Sequence, residues 1–306
     1  MQPVTEKETR TKAYVLLGIL ALIWGTSFIL IKQGLKVFSA DEVGALRVSA
    51  ACLFLLPLAF KQLKELQRSD YWKLFASGMM GIFFPAFLFA TAQTHMDSAV
   101  AGILNTLTPL FTMIIGAILF RQRFAWNAIM GILLGLVGAL TLSLSRNGNV
   151  TGINVYALFI VLGCLSYGSN LNFTKFRLPH LKSTTITSVA LLLIGPLALV
   201  YLLQFTDFSM KLTHAAGGWK ATGFVVLLGL MSTSVATLLF NELVKLRGPM
   251  FTSSVTYLLP IVGLFWGFVD GEDLGTGHFI GLAAIMVGVY LANKRPVVKA
   301  VSPRTA

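Results

Sequence analysis

Charge is what this sequence has least of. Asp, Glu, Lys and Arg make up only 12% of it, about half the share in a soluble domain. The 12 acidic residues all fall in tails, loops or the ends of apolar stretches. That excludes a buried carboxylate relay of the kind that carries protons through a pump. It also leaves a polyvalent cation no counter-charge inside. Cysteine is limited to Cys52 and Cys164, each within an apolar stretch, which points to packing rather than a disulfide or a metal. The four histidines lack metal-ligand spacing, and no CxxC, HExxH, GxSxG or Walker sequence occurs. No catalytic residue, metal ligand or cofactor is therefore expected. His95 with Asp97 comes nearest to a catalytic cluster, and the sequence offers it neither a nucleophile nor a metal partner.

What is present in excess is apolar surface. Hydrophobic residues make up 56% of the chain, and its mean hydropathy is +0.78. A hydrocarbon core about 30 Å thick needs about 20 apolar helical residues to cross it. Ten stretches qualify: 13–32, 42–60, 73–94, 98–120, 124–144, 154–175, 184–204, 219–241, 250–269 and 276–293. Their continuous apolarity excludes the alternating strands of a barrel, and in lipid only helices remain. The joins are too short for a soluble domain. The first run is long enough to span, has no small-residue cleavage site and ends at Lys32, so it reads as a membrane helix rather than a signal peptide.

The net charge of +12 is a matter of topology. If both termini are cytoplasmic, inner segments hold 18 Lys and Arg and outer segments hold five, namely Lys32, Lys36, Arg146, Lys211 and Lys220. The positive-inside rule thus expects a multi-pass protein of the cell (inner) membrane with both ends inside. No basic segment has a soluble surface to sit on, so nucleic acid is not an expected partner.

The two halves echo one another. Trp24-Gly25-Thr26-Ser27 with Lys32 aligns with Tyr167-Gly168-Ser169-Asn170 and Lys175. Pro57 pairs with Pro196, Pro109 with Pro260, and Gly131 and Gly138 with Gly281 and Gly288. Each half has an odd number of spans, so the second inserts upside down. Inverted repeats of this kind suit alternating access. The glycines read as ridges for close helix packing.

Polar groups inside lipid are costly unless they face protein or water. Trp24 and Ser27, Asn105 with Thr108 and Thr112, Tyr167 with Asn170 and Thr174, Ser234 with Thr237 and Asn241, and Ser253 with Tyr257 each share a helix face. Each single Ser or Thr could equally be glue between helices. Trp24, Tyr167, Asn105 and Asn170 suit the mixed walls of a cavity, two as aromatic walls and two as hydrogen-bonding groups. Pro109 and Pro260 lie mid-helix and free a carbonyl, as a fixed kink or as a gate. Arg47 is the only charge inside a span. It reads first as structural, bridging to Asp41 or Glu42, with a substrate contact as the alternative. With no cluster of basic groups at mid-depth, the electrostatics favour a neutral or zwitterionic small-molecule solute.

These residues resemble the drug/metabolite transporter superfamily, in its EamA-like group. Leu22-Ile23-Trp24-Gly25-Thr26-Ser27-Phe28 with Lys32 resembles the opening signature of that group. Leu46-Arg47, the run from Asn105 to Pro109, and Gly271-Glu272 with Gly281 nine residues on resemble its later motifs. The first repeat departs from the pattern, with Arg121-Gln122-Arg123 where Gly-Glu would stand. The resemblance covers about 13–293. It implies an all-α integral membrane protein of ten transmembrane helices in two inverted five-helix repeats. Spans 1, 3, 4, 6, 8 and 9 would line a central cavity, with 5 and 10 peripheral.

The resulting expectation is a tail at 1–12, repeats at 13–148 and 149–293, and a tail at 294–306. The resemblance further implies a secondary transporter that exports small metabolites such as amino acids. Its partners would be the solute and the lipid bilayer, with a homodimer left open. The expected substrate-binding set is Trp24, Ser27, Asn105, Thr108, Tyr167, Asn170, Ser234, Asn241, Ser253 and Tyr257, with Pro109 and Pro260 as gating positions. An intramembrane enzyme or a non-transporting scaffold is the alternative reading.

Overall fold

The computed structural model describes residues 6–96, 98–147, 155–262 and 276–293. Among them all regular structure is helical. The long helices are α1 (Glu6–Gly34), α2 (Ala40–Gln62), α3 (Arg68–Gln93), α4 (98–120), α5 (Trp126–Asn147), α6 (Ala157–Arg177), α7 (Ser183–Gln204), α8 (218–247), α9 (249–262) and α10 (Thr276–Asn293). A short helix, Phe208–His214, joins α7 to α8. By length and apolarity, seven helical runs among the described residues suffice to cross a membrane, with α8 and α9 counted as one.

Local chemistry sets the breaks. The Ser39 amide donates to the Glu42 carboxylate at 2.8 Å in a capping box that opens α2. Gln67 and Asp70 form the equivalent box at α3. The α4 helix stops at Arg121, whose φ of 50° is left-handed. Gly248, at φ 84° and ψ 172°, separates α8 from α9, in a region that side chains with a Cβ rarely enter.

Two helices contain a widened π segment, Met79–Phe83 in α3 and Gly229–Val235 in α8. Two contain a tight 3₁₀ segment, Asn105–Leu107 in α4 and Ser254–Leu258 in α9, each followed closely by Pro109 or Pro260. Irregular turns of this kind leave backbone groups without intrahelical partners. Here those groups are used across helices. Trp24 Nε1 on α1 donates to the Ser232 carbonyl in the α8 π segment at 2.9 Å. Ser166 Oγ on α6 donates to the Met80 carbonyl in the α3 π segment at 2.7 Å.

The helices pack in pairs. The α2 helix lies along α7, and α5 along α10; α1 contacts α8 and α9, while α6 contacts α3 and α4. Between α5 and α10 the backbones meet directly. A Cβ on Gly138 would lie 2.7 Å from the Ile285 nitrogen, and one on Gly288 would lie 2.5 Å from the Gly135 nitrogen. Small residues are needed there for the contact to exist. Val48, Ala51, Cys52 and Leu55 of α2 pack on Leu191, Ile194 and Ala198 of α7 and on Ile82 and Ala86 of α3. Both cysteines are buried and free. The outside is apolar instead of charged: Leu22, Phe54, Phe60, Ile118, Leu119, Trp126 and Leu197 are exposed. A bilayer covers such a surface and water does not.

Candidate functional site: a central cavity at the junction of the two halves

Two adjoining voids lie between the helices. The first holds about 510 Å³ of empty space, including that at its mouth. Trp24, Ser27, Phe28 and Ile31 of α1 line it, with Arg47, Phe89, Asn105, Thr108, Tyr167, Phe240, Ser253, Thr256 and Leu259. The second holds about 370 Å³ and is lined by Gly81, Ile82, Asn170, Ser232, Thr233 and Thr237. Trp24, Arg47, Tyr167 and Phe240 line both and form the partition between them.

Aromatic rings make the walls. Trp24 meets Phe240 edge-on, with centroids 4.9 Å apart. Phe89 lies between Phe28 and Tyr167, at 6.2 and 5.9 Å. These separations fall in the range of favourable ring pairs. The Trp24 ring is held by its bond to the Ser232 carbonyl, which the π turn makes available.

Polar groups punctuate that wall, and their bonding is one-sided. Asn105 Oδ1 accepts from Thr108 Oγ1 at 3.0 Å and from Cys164 Sγ at 3.6 Å. Asn170 Oδ1 accepts from Ser77 Oγ at 2.7 Å and from Thr174 Oγ1 at 3.4 Å. Neither amide nitrogen meets a partner among the described residues. Ser253 and Thr256 donate to carbonyls of their own helix, which occupies their protons. What the cavity offers a solute is therefore mainly N–H donors on an aromatic surface.

Of the ten residues expected from sequence, Trp24, Ser27, Asn105, Thr108, Tyr167 and Ser253 line the first void and Asn170 the second. Ser234, Asn241 and Tyr257 line neither. Ser234 Oγ donates to the Ala51 carbonyl of α2, Asn241 Nδ2 to Thr187 Oγ1 of α7, and Tyr257 Oη to the Ile132 carbonyl of α5. All three join helices. The irregular turns explain the shift. Ser234 lies inside the π segment, whose wider turn changes the local phase, and α8 presents Ser232, Thr233, Thr237 and Phe240. A 3₁₀ turn has three residues, so α9 presents Ser253, Thr256 and Leu259 and turns Tyr257 away.

Pro109 and Pro260 stand behind the lining, at the ends of the 3₁₀ segments. Arg47 does not bridge to either carboxylate considered for it. Glu42 pairs with Lys211 at 2.8 Å, and Asp41 accepts from Tyr201 Oη at 3.0 Å. The unusual Gln122 donates to Asn172 Oδ1 at 2.6 Å and so ties the end of α4 to α6. Glu272 and Asp97 lie outside the described residues, while His95 stacks on Tyr156 at 3.9 Å. Among the described residues no group of His, Cys, Asp and Glu could hold a metal ion.

The model of the EamA-like transporter family matches this chain twice, over residues 11–144 and 154–294. An uncharacterized transporter of Archaeoglobus fulgidus is 24% identical, over 93% of this chain and 99% of its own length. The uncharacterized transporter YyaM of Bacillus subtilis is 26% identical, over 92% and 93%. The uncharacterized inner membrane transporter YedA of Escherichia coli is 23% identical, over 91% and 92%. A crystal structure that is 19% identical superposes with a TM-score of 0.68, over 92% of this chain and 96% of that one, so the fold is shared.

Proposed function

This chain belongs to the EamA-like transporter family, and on that premise we propose a secondary transporter that exports small metabolites such as amino acids. It works by alternating access through the central cavity. The observation that carries the reading is the cavity itself: aromatic walls from both halves, with the amide nitrogens of Asn105 and Asn170 left free for a solute. Trp24, Ser27, Asn105, Thr108, Tyr167, Asn170 and Ser253 form its binding surface.

The proposed topology is ten spans in two inverted repeats, 13–148 and 149–293, with both termini cytoplasmic. Support comes from the two family matches, from the paired π and 3₁₀ segments, and from contacts that persist when the halves are exchanged. The Lys and Arg bias supports the orientation. In this scheme the two repeats rock against each other, and α4 and α9 bend at Pro109 and Pro260.

The experiment is uptake into proteoliposomes holding the purified protein, with a mixed panel of labelled amino acids and other metabolites, with and without a proton gradient. Accumulation only under the gradient marks coupled transport, and equilibration without it marks a facilitator. Protein-dependent movement of no solute at all would overturn the proposal.

A further inference from the structure

Arg47 is a costly residue to bury. It is 8% exposed and sits eight residues into α2, as the only charge inside a span. A guanidinium stays ionised in proteins, and at the centre of a membrane helix it costs about 2.5–3.5 kcal/mol. A buried cation normally stands against a carboxylate. Here the guanidinium makes one hydrogen bond among the described residues, from Nε to Thr233 Oγ1 at 2.6 Å. That partner is neutral. The carboxylates nearest in sequence are occupied, Glu42 by Lys211 and Asp41 by Tyr201. The remaining guanidinium N–H groups belong to a side chain that lines both voids, at the partition.

A cavity with an unmatched cation and two free amide N–H groups, lined by no carboxylate among the described residues, is built for an anion. A guanidinium presents parallel donors that fit a carboxylate two-pronged. Thr233 fixes Nε and so orients the other end. The aromatic faces of Trp24, Tyr167, Phe240 and Phe89 suit an apolar body attached to that carboxylate. We propose that Arg47 is the anchor for the carboxylate of the transported solute, and that this solute joins one carboxylate to an apolar body. The assignment rests on the transporter reading above and narrows its substrate class. It also gives Arg47 the ligand-facing role in place of the structural ion pair expected from sequence.

The test is transport by the full chain in proteoliposomes, with matched pairs differing at the carboxylate: phenylalanine and phenylalaninamide, leucine and leucinamide, 3-phenylpropionate and 3-phenylpropionamide. The expected result is that the acid of at least one pair is carried with kcat/KM about tenfold or more above its amide. Arg47→Gln should abolish that preference by lowering kcat/KM for the acid about 10- to 100-fold, the worth of a charged hydrogen bond, with the amide little changed. Arg47→Lys keeps the charge without the fork and should retain the preference at weaker affinity. Thr233→Val removes the bond that orients the fork and should weaken the preference without abolishing it. If Arg47→Gln fails to fold, the wild-type comparison and Arg47→Lys decide. Equal transport of acids and amides, or an unchanged preference in Arg47→Gln, overturns the assignment. Movement of other solutes but of none of the acids overturns it too, and leaves the transporter reading standing. Movement of no solute overturns both.

Discussion

Asn105 and Asn170 illustrate how one residue type serves two purposes at once. In each, the oxygen accepts from a neighbouring hydroxyl, which fixes the amide, and the nitrogen, on a side chain that lines a void, has no partner among the described residues. A Leu at either position has similar bulk and no donor. One lost hydrogen bond is worth about 0.5–1.5 kcal/mol, so Asn105→Leu and Asn170→Leu should each lower kcat/KM about 2- to 10-fold. Each substitution also removes the acceptor of a buried hydroxyl, Thr108 at Asn105 and Ser77 at Asn170, so both melting temperatures should fall. Transport kinetics and a thermal melt on the same preparations check both statements. Wild-type transport by both variants would remove these amides from the binding surface.

Residue identity was the legible part of the site. An Asn, a Trp or an Arg inside an apolar stretch is visible in the sequence because its burial is costly. Its partner is not visible. Arg47 stands six residues from Asp41 and five from Glu42, which made a local ion pair the simplest expectation. The structure instead gives both carboxylates to α7 and the segment after it.

At the scale of the element, the departures from regular helix decide which side chains reach the cavity. Reading α8 and α9 at 3.6 residues per turn selects Thr237 and Ser253, which line the voids, and also Ser234, Asn241 and Tyr257, which bond to α2, α7 and α5. The π and 3₁₀ segments reset the register. No residue type announces a π turn, so no periodicity could have located it. Pro109 and Pro260, read as a kink or a gate, each follow a 3₁₀ segment closely, where a proline removes the backbone donor that an α turn requires. Pro260→Ala restores that donor and should relax the 3₁₀ turn of α9 towards regular α-helix. If bending of α9 carries the transport cycle, kcat falls several-fold while KM changes little, which steady-state transport kinetics will report. An unchanged kcat would reduce Pro260 to a fixed kink.

At the scale of the whole molecule, the contact of α5 with α10 brings backbone directly against backbone. Gly138 has the α10 backbone within 3 Å of where its Cβ would lie. Overpacking a tight contact costs about 1–3 kcal/mol or more, and backbone has nowhere to yield. Gly138→Leu should therefore lower the melting temperature and the yield of folded protein, whatever its effect on solute binding. A melt in detergent tests this, and a wild-type melting temperature would show that the helices can part at little cost. The proposed orientation is open to the same directness. Reporters fused to each terminus should both read cytoplasmic, and one reading on the opposite side would refute the even number of spans.

The sequence by itself determined the solvent. An apolar content this high, with so few charges, leaves a bilayer as the only medium in which the surface is stable, and lipid then demands helices. It also determined where most helices run and which polar residues are expensive. Only the tertiary structure decided which of those residues face the cavity, because facing depends on π and 3₁₀ turns that shift the helical phase. It likewise decided that Arg47 has no carboxylate beside it among the described residues, because ion pairing is settled by distances between helices far apart in the chain.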